Sequence, residues 1–209
     1  MNEKTTTLGE RLIEIIAVLL LGIATVGTAW CGYQSSQWNG AQTDLARESS
    51  DERVEASRLF GLATQKIAYD ANIVSQYAQA IVQGDDRLAQ FYRQNLVRPP
   101  FLPLLDEWQA EIAAGGAPTS LFQDQDYLDT QFAEYQTAVD QAEALNQQSQ
   151  QASATSDEYV ITTILLAIAL FFAGVTSSFR YQPARVFLVL LAVGTVAVAA
   201  VRLADLPIA

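Results

Sequence analysis

The chain has 209 residues, a formal net charge of −11, no histidine and a single cysteine. Zinc, haem and iron–sulfur sites need several His or Cys ligands, and Ser–His–Asp or Cys–His catalysis needs an imidazole base, so the composition excludes these classes. The acidic excess also argues against nucleic-acid binding, which requires clustered Lys and Arg. We therefore expect no enzyme activity, no cofactor, no metal and no nucleic-acid partner.

Three runs of the sequence are apolar enough to cross a membrane. They are residues 12–31, 159–178 and 186–203. A helix of about 20 apolar residues spans a bilayer core of about 30 Å. A cleaved signal peptide is the alternative interpretation of 12–31, but its apolar run exceeds the usual length of about 7–15 residues. We expect it to be retained as the first transmembrane helix.

Basic residues in the short segments predict the orientation. Lys4 and Arg11 precede the first span, and Arg180 and Arg185 lie between the second and third. Because short cytoplasmic segments are enriched in Lys and Arg, residues 1–11 and 179–185 should be cytoplasmic. The domain 32–158 and the tail 204–209 should then be extracytoplasmic. An aromatic belt is expected at that boundary, made of Trp30, Tyr33, Trp38 and Tyr159.

The region between the first two spans has helical periodicity. Apolar residues recur at three- and four-residue steps up to Ile81, and Gly84-Asp85-Asp86 should end this helix. Short helices are predicted around 86–97 and 104–112, separated by the segment VRPPFLP, which we expect to form a stiff extended turn. The glycines at 115–116 end the second of these helices.

A returning helix is predicted from about Thr119 onward. Its first part has a heptad-like apolar seam, typical of a coiled coil. Its second part, rich in Gln and Ser up to Glu158, reads either as a disordered linker or as a helix. We favour the helix, because it contains no Gly or Pro. The predicted fold is all-α, with three transmembrane helices and a long extracytoplasmic antiparallel helical stalk.

The polar part of this seam predicts a homo-oligomer. It consists of Asn146, Ser149, Ser153 and Ser156. Small polar residues cannot join two helices by hydrophobic burial, so water or other subunits should complete the seam. Four amide side chains after the first span also have two interpretations. Either they are simply exposed to water, or they line a hydrated vestibule in an oligomer. They are Gln34, Gln37, Asn39 and Gln42.

Charged residues near the ends of the spans predict ion pairs. Arg202 should pair with Asp157 or Glu158, which share its depth; unpaired snorkelling to the headgroups is the alternative. At the opposite boundary, Glu14 should pair with Arg180 or Arg185. A proton-carrying role for Glu14 is disfavoured, because transport usually needs ionisable groups near mid-membrane.

Three stretches of the chain carry a resemblance to known sequences. TAWCGYQSSQWNGAQ, DERVEASRLFGLATQ and LAIALFFAGVTSSFR, with the plan of one span, external helices and two spans, resemble a family of uncharacterised bacterial membrane proteins. The resemblance implies a bacterial cytoplasmic-membrane location. It implies no activity and no site residues.

The leading functional hypothesis is a non-enzymatic, oligomeric membrane protein whose external bundle acts as a scaffold or envelope sensor. Its expected partners are the lipid bilayer, further copies of itself and other envelope proteins. The alternative is a channel or transport accessory in which several copies surround a pore. A hydrolase using only Asp and Glu is the remaining enzyme class, but a narrow helical stalk offers no concave site for one.

Overall fold

The computed structural model describes residues 8–115, 124–179 and 181–209, and within them the chain is helical with no strand. The helices are α1 (Leu8–Val82), α2 (Asp86–Asn95), α3 (Leu102–Ala113), α4 (Gln125–Thr176) and α5 (Gln182–Asp205), with a 3₁₀ turn at Pro99–Phe101. Contacts divide the chain into two compact units. Unit 1 comprises Met1–Arg47 and Leu145–Ala209, and unit 2 comprises Glu48–Ala144.

The end of α1 follows the sequence prediction. Gly84 has φ +74°, a conformation that L side chains rarely adopt, and the Asp85 N–H donates to the Ala80 carbonyl at 3.0 Å, closing the helix end. The Asp85 carboxylate then accepts a hydrogen bond from the Leu88 N–H at 3.0 Å and caps α2. One short turn therefore ends the first helix and starts the second.

The proline-rich segment differs from the prediction of an extended turn. Only its start is extended, with Arg98 at φ −70° and ψ 144°. Residues Pro99–Phe101 form a 3₁₀ turn, and α3 follows at once with Pro103 in its first turn. The reason is that proline lacks an N–H that a first helical turn does not need, and its fixed φ suits that position.

Unit 2 has an apolar core of its own. Its fully buried side chains include Phe101 and Leu105, which have no exposed surface, and Tyr77, which is 2% exposed. Phe101 meets the ring of Tyr127 edge-on at a centroid distance of 5.1 Å. The core is therefore built from large side chains of α1, α3, α4 and the 3₁₀ turn.

Unit 1 contains the apolar helices. Three helices in the described part of the chain are long and apolar enough to cross a membrane, and they are α1, α4 and α5. Their contacts use small residues: Ala24, Ala169 and Ala192 have no exposed surface. A Cβ added at Gly27 would lie 2.9 Å from Leu166 Cδ1, so α1 and α4 approach closely at that level. Small residues permit this approach in lipid.

The Gln- and Ser-rich segment is helical, as predicted, and belongs to α4. Two residues of its polar seam, Ser149 and Ser156, have hydrogen-bond partners within the chain. Ser149 donates to the Gln42 carbonyl at 3.0 Å, and Ser156 donates to the Ser35 carbonyl at 3.0 Å. Because these short serine side chains reach the backbone of the neighbouring helix, they join α4 to α1 within one chain. The completion of the seam at Asn146 and Ser153, and the homo-oligomer, stay predictions.

Candidate functional site

Seven of the predicted site residues form three groups in unit 1. The first binds the C-terminal tail, and the other two are ion pairs. A fourth group, which the sequence did not predict, lies in unit 2.

The tail cluster consists of Gln34 and Trp38 on α1, Tyr159 on α4, and residues 206–209. The carbonyl of Pro207 accepts two hydrogen bonds at 3.1 Å, from Trp38 Nε1 and from the Tyr159 hydroxyl. The Oε1 of Gln34 accepts a hydrogen bond from the Ala209 N–H at 2.9 Å. The body of unit 1 thus holds the tail through backbone groups and the packed side chain of Leu206, whereas the side chain of Ile208 is exposed.

Arg202 and Glu158 are brought together, with Nη1 3.0 Å from Oε2 and both side chains about half exposed. Of the two predicted partners of Arg202, Glu158 forms the pair and Asp157 does not. Glu158 lies one turn before Thr162, which is fully buried, whereas Asp157 lies one turn before the exposed Ile161. The helical phase therefore directs Glu158 toward the packed side of α4.

Glu14 and Arg185 form the second pair, with Oε1 3.0 Å from Nη2. The Arg185 side chain is 12% exposed, and its Nε is buried with no hydrogen-bond partner among the residues that the structure describes. Arg180, the other partner predicted for Glu14, lies outside the described residues. The contact ties the start of α1 to the start of α5.

The four aromatic residues of the predicted belt separate into two pairs. Trp30 and Tyr33 are exposed, with ring centroids 6.1 Å apart, as a lipid-facing position requires. Tyr159 does not have such a position, because it is 1% exposed. Trp38 is half-buried. These two rings turn inward because their polar atoms bind the tail.

The residues predicted to face water or a vestibule also separate. Gln37 and Asn39 are exposed, and the side chains of Gln42, Asn146 and Ser153 are half-buried. Gln34 is 1% exposed and Ser149 is 5% exposed, so these two line no water-filled space within the chain. Their polar atoms contact the tail and the backbone of α1 instead.

A buried polar group in unit 2, the Asp70 cluster, consists of Asp70, Arg98, Tyr127 and Gln131. Arg98 donates to both carboxylate oxygens of Asp70, with Nε 2.8 Å from Oδ1 and with Nη2 on Oδ2. The Tyr127 hydroxyl donates to Oδ2 at 2.6 Å, and Arg98 Nη2 also reaches Gln131 Oε1 at 3.1 Å. Asp70 is 2% exposed.

The geometry of the Asp70 cluster shifts the pKa values of the two groups that donate to Asp70. The hydrogen bonds to Asp70 raise the pKa of Arg98 above its ordinary value. Burial, and then the hydrogen bond to Asp70, raise the pKa of the Tyr127 hydroxyl. Both shifts favour the protonated donors, so the carboxylate stays fully hydrogen-bonded in a site that excludes most solvent.

The sequence did contain a signal for the Asp70 cluster. Asp70 lies three residues after Ile67 and four before Val74, within the apolar stripe of α1. A charged residue in such a stripe is almost never fully buried unless it is paired. The signal indicates that a cation must reach Asp70, although it does not indicate which one.

These groups hold elements of the structure in register. Within the described residues, no three or more His, Cys, Asp and Glu side chains lie close enough to hold a metal ion. The carboxylate of Asp70 accepts three hydrogen bonds from two cluster residues, which leaves it poorly placed to act as a base or a nucleophile.

Comparison with known proteins adds no family to this description. No protein-family model matches the chain, and no curated protein or solved structure matches it either. The resemblance in sequence to an uncharacterised bacterial family stays a prediction.

Proposed function

We propose that this chain is a non-enzymatic integral protein of the bacterial cytoplasmic membrane that acts as a scaffold or sensor in the envelope. In this proposal, residues 32–158 form the extracytoplasmic helical domain, and the N-terminus is inside. The observation that carries the proposal is that one chain combines three membrane-capable helices with a helical unit that has its own packed core.

Two further features support a structural role over an enzymatic one. The chain has no histidine, and its single cysteine, Cys31, is buried. The buried charged groups of unit 2 are bound to one another across α1, α4 and the segment before the 3₁₀ turn. A hydrogen-bonded arrangement of this kind favours one fixed geometry, which suits a surface that partners bind.

The pore alternative has lost one supporting observation. It relied on polar residues lining a hydrated vestibule, and Gln34 and Ser149 are buried within a single chain instead. A conductance measurement in planar bilayers tests the pore alternative directly. Single-channel steps with the purified protein would favour the pore over the scaffold.

Topology mapping tests the proposed function directly. On a Cys31→Ala background, Gln83→Cys places a thiol in the exposed turn after α1, and Gln182→Cys places one at the exposed start of α5. A membrane-impermeant maleimide added to intact spheroplasts should label position 83 at once and position 182 only after permeabilisation. The reverse pattern, or equal labelling of both positions, would overturn the proposed topology.

A further inference from the structure

One face of unit 2 carries three aromatic rings that are only partly covered. Phe60 on α1 lies against Phe132 and Tyr135 on α4, with ring centroids 5.6 and 5.4 Å away. Phe60 is 48% exposed, and the other two are half-buried. Aromatic clusters contribute most when they are removed from water, so this one leaves much apolar surface in solvent.

A recess of about 310 Å³ adjoins the rings on the same face. Tyr135 forms one wall, Arg53 and Glu143 line one end, and the remaining lining residues are Ala56, Ser57, Val139 and Ala142. Small side chains at these positions allow another helix to approach closely. We call the surface made by Arg53, Phe60, Phe132, Tyr135, Val139 and Glu143 the aromatic face.

The aromatic face exists because α1 and α4 pack here as a layer of two helices. Two helices in contact can bury the stripe between them, where Ala56 and Ala138 are buried, but they cannot cover the flanking ridge. Residues 53, 57 and 60 follow one ridge of α1, and residues 132, 135 and 139 follow one ridge of α4. A second layer of secondary structure is the usual way to bury such a surface.

We propose that the aromatic face binds the same face of a second copy of this chain, so that the two layers form a four-helix bundle. The proposal rests on the scaffold function proposed above and identifies its partner. With a two-fold axis along the helices, α1 of each copy lies across from α4 of the other. Phe60 then packs on Phe132 and Tyr135 of the second copy.

Charge complementarity favours a second copy as the occupant. Arg53 and Glu143 lie at one end of the aromatic face, 3.8 Å apart, with side chains 60% and 55% exposed. Under the two-fold arrangement, Arg53 of each copy faces Glu143 of the other, at the same height. The one cation and the one anion of the face thus meet opposite charges on both sides of the interface.

The balance of charge on this face contrasts with the rest of unit 2. Residues 48–144 contain sixteen acidic and six basic side chains, so two copies repel each other at long range. Salt screens that repulsion over a Debye length of about 10 Å at 0.1 M. Self-association should therefore strengthen as salt is raised, whereas binding of a basic helix from another protein should weaken.

The first test compares two exposed positions. Phe60→Glu places a charge in the aromatic face, and Val54→Glu places one at a position that is 70% exposed and outside the face. The full chain in detergent is studied by light scattering over a concentration series. We expect the unmodified chain and Val54→Glu to be dimers, and Phe60→Glu to dissociate with a Kd at least tenfold higher. A monomeric unmodified chain, or equal behaviour of the two variants, would overturn the proposal.

The second test separates contacts between copies from contacts within one chain. Arg53→Glu and Glu143→Arg each set like charges against each other in a homodimer, and each should weaken self-association by about fivefold. A mixture of the two variants restores both cross-copy pairs in the heterodimer, although the pair inside each chain stays repulsive. We expect the mixture to associate as the unmodified chain does.

No recovery in the mixture would place the Arg53–Glu143 contact within the chain alone and overturn the proposed arrangement. The topology experiment is independent of this result. A chain that has the proposed topology but stays monomeric would contradict the proposed self-association. It would not contradict the proposed membrane scaffold.

Discussion

The interiors of the two units consist of different kinds of side chain. In unit 1 the residues without exposed surface are small or polar, including Ala24, Ala169 and Thr162. In unit 2 they are large and apolar, led by Phe101 and Leu105. One ion pair of each unit shows a further difference: the Asp70 carboxylate of the Asp70–Arg98 pair in unit 2 is buried, whereas both side chains of the Glu158–Arg202 pair in unit 1 are about half exposed.

This difference in buried side chains is the one expected between packing in lipid and packing in water. Among lipid tails, apolar burial does not drive helices together, so close approach and hydrogen bonds between helices must do so. In water, the hydrophobic effect rewards the burial of large apolar side chains. Unit 1 has the interior expected of helices that pack in lipid, and unit 2 has the interior expected of a helical domain in water.

The largest expected effect concerns the buried pair of unit 2. Arg98→Ala leaves the Asp70 carboxylate buried without its cation, which should lower the free energy of unfolding by about 3–5 kcal/mol. Hydrogen exchange of residues 86–113 in the full chain measures the loss locally. The matched control is Arg58→Ala, which breaks an exposed ion pair of the same unit and should hardly change the protection of residues 86–113.

A double variant distinguishes an unpaired charge from lost packing. Asp70→Leu combined with Arg98→Met removes both charges and keeps similar side-chain volume. We expect it to recover most of the protection that Arg98→Ala loses, because no charge is left buried. If the double variant exchanged as fast as Arg98→Ala, the buried charge would not be the cause.

The next effect concerns the close approach in unit 1. Gly27→Leu forces a side chain against Leu166, and overpacking of this kind should cost about 1–3 kcal/mol. Gly22→Leu is the control, because a Cβ there meets nothing within 4 Å. Thermal unfolding in detergent measures both. A similar loss at the two glycines would contradict the close contact of α1 and α4 at Gly27.

A smaller effect is expected from the Tyr127 hydroxyl, which is one of three donors to Asp70. Tyr127→Phe removes one hydrogen bond and should cost about 0.5–1.5 kcal/mol at neutral pH, measured by the same hydrogen exchange. Asp70 keeps both bonds from Arg98, so the loss should stay well below that of Arg98→Ala.

The raised pKa of Tyr127 predicts that the free energy of unfolding depends on pH. The folded protein raises the pKa of Tyr127 above the ordinary value of 10.0, so above that pH the unfolded chain releases a proton that the folded chain keeps. The free energy of unfolding should therefore fall as pH rises through 10, by up to about 1.4 kcal/mol per pH unit from this group. Tyr127→Phe should lack this part of the decline; identical slopes would contradict it.

Much of the helical plan could be predicted from the sequence, because it depends on local signals. The periodicity around Val74 and Tyr77, the turn at Gly84 and the absence of Gly and Pro from 143–158 each act through neighbouring residues. The hydrogen bonds of Ser149 and Ser156 within the chain could not be predicted, because a serine has two uses, solvation and hydrogen bonding to a neighbouring backbone. Only the distance between the helices decides between them.

The contacts that could not be predicted join residues far apart in the chain. Asp70 indicates a buried partner, but the choice of Arg98 depends on the path of the segment between α2 and the 3₁₀ turn. The tail cluster is harder still, because residues 206–209 contribute mainly backbone groups. Backbone groups leave no trace in a sequence pattern, so Gln34 and Tyr159 appeared as water-facing and lipid-facing residues instead.

The smallest expected effect completes the comparison of the two ion pairs. Glu158 and Arg202 are each about half exposed, so solvent screens their attraction and the pair should contribute about 0.2–1 kcal/mol. A double-mutant cycle with Glu158→Gln and Arg202→Gln measures this coupling in lipid nanodiscs. A coupling above about 3 kcal/mol would mean that lipid excludes water from the pair, since only desolvated charges interact that strongly. The pair would then resemble Asp70–Arg98, and the contrast between the two units would lie in their apolar packing alone.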